Sequence, residues 1–117
     1  MIKPKFALLV IKSADIVKLK EFYEKLGLEF KCEQHGNGPI HYAAVLGDTV
    51  FEIYPLAYKG SVPDKNRLGF KVDNLAEVLQ KLESFGILPL SSSPQVQWGY
   101  PVLIKDPEGR IVELYQN

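Results

Sequence analysis

A chain of 117 residues, 46% hydrophobic and 24% charged, has the size and make-up of one folded domain, which excludes a disordered or low-complexity segment. Fourteen basic residues balance fourteen acidic ones and no segment gathers Lys or Arg with aromatics, so small molecules or proteins are expected as partners, with no nucleic acid and no membrane. The single Cys32 makes no internal disulfide, the longest apolar run (Phe6 to Ile11) is too short to cross a bilayer, and the N-terminus lacks the sections of a signal peptide; a cytoplasmic location is expected.

Phe6 to Ile11 predicts a strand, followed by Ser13 or Asp15 as a helix cap. Ile16, Leu19, Phe22, Tyr23 and Leu26 mark one face of a helix that Gly27 stops. Glu29 to Glu33 reads as a second strand, His35-Gly36-Asn37-Gly38-Pro39 as a loop, and His41 to Leu46 with Thr49 to Tyr54 as a hairpin turning at Gly47-Asp48. After a polar connector, residues 59–65, the order returns. Leu68 to Val72 predicts a strand, and Asn74 with Glu77 forms a capping box. Leu75, Val78, Leu79, Leu82 and Phe85 predict a buried helical stripe ending at Gly86. Ile87 to Leu90 predicts a short strand, Ser91-Ser92-Ser93-Pro94 a loop, and Tyr100 to Ile104 with Arg110 to Tyr115 a closing hairpin.

This order is a repeat. Asp15-Ile16, Leu19, Tyr23, Leu26 and Gly27 return 59 residues later as Asn74-Leu75, Val78, Leu82, Phe85 and Gly86, and Phe51-Glu52-Ile53-Tyr54 returns after 61 as Val112-Glu113-Leu114-Tyr115. The fold class is therefore α+β, a single domain over 1–117 made of two βαβββ modules, about 1–58 and 66–117. Each half has too little apolar surface to stand alone, so a shared cleft lined by equivalent positions of both is expected.

Strand parity sorts the side chains. Val112 and Leu114 suit the helix side, which sends Ile111, Glu113 and Tyr115 to the other face; Phe51 and Ile53 likewise leave Val50, Glu52 and Tyr54 opposite. A two-residue turn pairs Ala43 with Glu52 and His41 with Tyr54, and a one-residue slip would reverse His41. Arg67, Gly69 and Lys71 fall on the polar face of the opening strand of the second module, with Leu8 as the repeat-mate of Arg67. Inward carboxylates need a cation, and Arg67 and a divalent metal are competing answers.

With these residues placed, the whole chain resembles the vicinal oxygen chelate superfamily, which includes glyoxalase I, extradiol dioxygenases, and fosfomycin- and bleomycin-resistance proteins. The resemblance rests on Asp15 to Gly27, Phe51-Glu52-Ile53-Tyr54-Pro55, Arg67-Leu68-Gly69-Phe70, and Trp98-Gly99 followed by Asp106-Pro107-Glu108-Gly109-Arg110-Ile111-Val112-Glu113-Leu114. It implies eight strands in a half-open barrel-like sheet with a ligand in its concavity, and a homodimer. It also implies metal ligands on the first and last strands of each module. Glu52 and Glu113 match the last-strand positions, but the first-strand positions hold Leu8 and Arg67, and neither donates a lone pair; a guanidinium about 4 Å away would repel a divalent ion by roughly 8 kcal/mol.

The expected function is binding of a small organic molecule, anionic or aromatic, without the usual metal centre and with no cofactor. Arg67 would clamp an anion, Trp98 or Tyr54 would offer a stacking wall, and His41, Glu52, Glu113 and Tyr115 would line the site. The alternative is a metal-dependent glyoxalase-like lyase, isomerase or dioxygenase using Glu52, Glu113 and His41, with these three as the catalytic candidates. A third reading is an interaction module, which the polar groups on the cleft face argue against. His35, in its Gly-rich loop, is expected to be solvated. Removing Arg67 is expected to destabilise the domain by leaving buried carboxylates unpaired.

Overall fold

The computed structural model describes residues 2–90 and 100–117. It divides into two compact units, Met1–Asp64 and Lys65–Asn117.

The first unit holds β1 (Leu8–Ser13), α1 (Ile16–Glu24), β2 (Phe30–Glu33), β3 (His41–Leu46) and β4 (Thr49–Pro55). They form one sheet in the order β1-β4-β3-β2, with β1 parallel to β4 and the other pairs antiparallel. β1 starts two residues later than the apolar run does because its extent follows its pairing, Leu8 with Val50 through Ser13 with Pro55. Of the two expected caps Asp15 is the one used: its carboxylate accepts from the Lys18 amide at 3.1 Å, while Ser13 Oγ accepts from the Asp15 amide at 3.0 Å. Gly47 has φ +60° and Asp48 a negative φ, the pattern of a II′ turn, and residues summing to 95 pair across it, Ala43 with Glu52 among them. Leu19, Phe22 and Tyr23 of α1 are buried with Ile11, Phe51 and Ile53 of the sheet. The Tyr23 ring lies 5.2 Å from that of Phe51. Each such side chain contributes roughly 1.5–3 kcal/mol on burial, and together they fix which sheet face is left for function.

The second unit holds β5 (Leu68–Val72), α2 (Leu75–Ser84), β6 (Val102–Lys105) and β7 (Ile111–Gln116), with sheet order β5-β7-β6 and β5 parallel to β7. Asn74 caps α2 by accepting from the Glu77 amide at 3.1 Å. Leu68, Leu75, Leu82, Val102, Ile104, Val112 and Leu114 form its core. Repetition extends to single hydrogen bonds. Leu28 N donates to Tyr23 O after α1, and 59 residues on Ile87 N donates to Leu82 O after α2, each across a glycine of positive φ, Gly27 at +103° and Gly86 at +79°.

Two expectations are corrected. Ile87 to Leu90 is not a strand: Pro89 has no amide to donate, and a single bond, Leu90 N to Leu103 O at 2.9 Å, ties the segment to β6. Seven strands are thus present among the described residues. Phe85 is exposed, because it stands at the C-cap of α2 beyond the last turn that faces the sheet. The Ser91-Ser92-Ser93-Pro94 loop and the Trp98-Gly99 pair lie outside the described residues. No described helix is long and apolar enough to cross a membrane.

Candidate functional site

The sheet face of the first unit that turns away from α1 carries every second registered pair: Leu8 beside Val50 beside Val45, Val10 beside Glu52 beside Ala43, and Glu33 beside His41. Parity alone produces the sorting, since Phe51 and Ile53 are committed to the core. One end of the face is apolar and open, with Val45 75% and Leu8 53% exposed. The other end is polar.

At the polar end His41 is only 1% exposed, yet its ring is surrounded by groups that can bind ions. Its Nδ1 lies 3.1 Å from the carbonyl oxygen of Pro39. A carbonyl only accepts, so Nδ1 carries the proton and the Nε2 lone pair is free in the neutral ring. Nε2 lies 3.3 Å from Glu33 Oε1 and 3.5 Å from Glu52 Oε2 but makes a hydrogen bond to neither. The imidazole stacks on Tyr54 with centroids 4.0 Å apart and planes 10° from parallel, and Lys12 Nζ stands 4.9 Å from the Tyr54 ring centre. Burial, with Glu52 and Glu33 nearby, raises the Tyr54 phenol above its ordinary range.

The loop joining β2 to β3 brings in His35. Gly36 takes φ +58°, Gly38 N donates to His35 O at 2.9 Å, and Gln34 Nε2 donates to Gly38 O at 2.9 Å, so the segment folds into a tight turn over His41. The His35 ring lies 5.1 Å from that of His41, with Nε2 3.8 Å from Glu33 Oε1. Glu33, His35, His41 and Glu52 each present one ligand-type atom within 4.8 Å of the others. Glu33 was not singled out in the sequence; the signal available was its position opposite His41 across the Gly-Pro loop. His35, expected to be solvated, is largely exposed but belongs to the group.

On the second unit Arg67 Nε donates to Glu113 Oε2, and the Tyr115 hydroxyl donates to Glu113 Oε1 at 2.7 Å. The Tyr115 hydrogen bond first, and then Arg67, hold the Glu113 carboxyl below its ordinary range, and the same bond raises the Tyr115 phenol. A Cβ added to Gly69 would meet Tyr115 Cε2 at 3.5 Å and Glu113 Cβ at 3.9 Å, which places Gly69 on this polar face. Arg67 is 57% exposed, so solvent screens its pairing with Glu113, which argues for a smaller effect of its removal than a fully buried pair would give. Its Nη groups keep donors beyond the one given to Glu113. Trp98, the expected stacking wall, lies outside the described residues.

No family model matches the chain. YetH of Bacillus subtilis (strain 168), an uncharacterized protein, is 30% identical over 103 residues, spanning 83% of this chain and 85% of that one. Among solved structures, TnmS3, an antibiotic binding protein from Streptomyces sp. CB03234, shares the fold with a TM-score of 0.74 at 20% identity, covering 99% of this chain and 98% of its own. A glyoxalase family protein from Enterococcus faecalis gives a TM-score of 0.67 at 26% identity, covering 96% of this chain and 97% of its own.

Proposed function

We propose that this chain, which belongs to the vicinal oxygen chelate superfamily, binds a small organic molecule, anionic or aromatic, without the usual metal centre of that superfamily. The observation that carries the reading is the divided face of the first module: exposed Leu8 and Val45 at one end, and His41, Glu52 and Tyr54 at the other, on one sheet. An apolar patch beside a few fixed polar groups is what a small-molecule site needs, area for burial and partners for orientation. On the second module, taken by itself, the guanidinium of Arg67 suits carboxylate or sulfonate oxygens in two-point fashion. That TnmS3, a fold relative, is an antibiotic binding protein supports a small molecule as the ligand.

The usual metal positions do not fit an ion. Leu8 has no donor atom, Arg67 is a cation already hydrogen-bonded to Glu113, and Glu113 is further engaged by Tyr115.

Anilinonaphthalene sulfonate, which is aromatic and anionic, is a direct probe. Saturable fluorescence enhancement by the folded protein is expected, weakened by Val45→Asp through loss of apolar contact. Enhancement that does not saturate, or that ignores this substitution, rejects the reading.

A further inference from the structure

We propose that Glu33, His35, His41 and Glu52 form a site for one divalent transition-metal ion of the zinc class, built within the first module on donors other than the usual set of the superfamily. The first support is the buried, unpartnered Nε2 of His41, 1% exposed and aimed between two carboxylates that it does not hydrogen-bond. Leaving such a buried nitrogen unsatisfied is unfavourable, and an ion would relieve it. Pro39 O accepts from Nδ1, so Nε2 is the nitrogen the ring offers to an ion, as second-shell hydrogen bonds arrange in metal sites.

Distances give the second support. Ligands at about 2.0–2.2 Å in a tetrahedron stand about 3.3–3.6 Å from each other. The His41 nitrogen is 3.3 Å from Glu33 and 3.5 Å from Glu52, and His35 Nε2 is 3.8 Å from Glu33, so three of the separations match or need only a small contraction. The adjustment falls on His35, whose side chain is 74% exposed, while buried His41 stays fixed. Two imidazoles with two carboxylates favour zinc, cobalt(II) or iron(II) over calcium and magnesium, which take oxygen donors. Lys12, over Tyr54, is the neighbouring cation, and its flexible ammonium can swing away from an incoming ion.

The test needs no organic ligand, so it is decided separately from the small-molecule reading. Chelator-treated full chain is titrated with cobalt(II) chloride, followed by visible absorbance and calorimetry, and then with zinc chloride to displace the cobalt. One equivalent is expected, with ligand-field bands of four- or five-coordinate cobalt and no thiolate charge-transfer band; Cys32→Ser leaves both affinity and spectrum unchanged. His35→Ala and Glu33→Gln, both on the accessible side, each lower affinity by about tenfold or more while the metal-free protein melts like wild type. No saturable binding at millimolar cobalt overturns the proposal. Affinity that ignores both substitutions also overturns it, as does an ion lost on Glu113→Gln.

Discussion

Replacing Arg110 by Met tests how the second module holds its closing hairpin. The Arg110 and Asp106 side chains are completely buried, with Arg110 Nη1 3.2 Å from Asp106 Oδ2 and 2.9 Å from Glu108 Oε1. Asp106 Oδ1 accepts from the amides of Glu108 at 2.9 Å and Arg110 at 3.0 Å, so one carboxylate ties the turn to the guanidinium. Methionine keeps much of the stem volume and removes the charge. Asp106 then loses the guanidinium at 3.2 Å while staying buried, a change that costs about 3–5 kcal/mol, and the backbone amides of Glu108 and Arg110 that it still accepts from put the expectation near the lower end, about 3 kcal/mol. With a urea slope of about 1.5 kcal/mol/M, the midpoint should fall by about 2 M. Adding Asp106→Asn removes the stranded charge and should recover part of the loss, a coupling read by comparing both singles with the double mutant. An Arg110→Met protein that melts within about 0.5 kcal/mol of wild type, or a double mutant no more stable than Arg110→Met, would refute the reasoning.

Glu113 should titrate below its ordinary 4.5 in the folded protein, and Tyr115→Phe should move it back up, as read from the carboxyl carbon by NMR. Because the folded value is depressed, this contribution to stability is present above about 4.5 and is lost as pH falls through the folded value; the raised Tyr115 phenol acts in the opposite sense, its contribution being lost as pH rises above 10.0. Arg67→Leu should melt only slightly below wild type at neutral pH, far less perturbed than Arg110→Met, and a loss as large as that of Arg110→Met would show a buried clamp. Gly27→Ala should cost about 1–2 kcal/mol in a thermal melt, since φ +103° is strained for any side chain. Each sheet ends in edge strands, β1 and β2 in one and β5 and β6 in the other, and a homodimer is expected in sedimentation at micromolar concentration; a single species of monomer mass would count against it.

Much of this architecture is legible in the chain because it is written locally and twice. Helix periodicity, the Asp15 and Asn74 caps and the glycines at 27 and 86 each depend on residues a few positions apart, and the repeat confirms one copy by the other. The polar faces follow from parity once Phe51 and Val112 are assigned to the core. The four-residue group was harder to see. Glu33 meets His41 only through the β2–β3 register, which a seven-residue loop leaves undetermined in the sequence, and His35 reaches the group through the fold of that loop. Burial of Arg110 was equally hidden, since charge in a turn ordinarily faces water.

The group around His41 is also unusual in how little chain it needs. Its four members lie between positions 33 and 52, on strands joined by a short loop and a two-residue turn, whereas the β1–β4 pairing that completes the same sheet joins Leu8 to Val50. Loop-closure entropy grows with the span enclosed, so the donors are gathered by the least costly contacts of the module. The four donor-type side chains are therefore a property of one meander, carried by twenty consecutive residues, to which β1 and Tyr54 add the flanking apolar and aromatic surface.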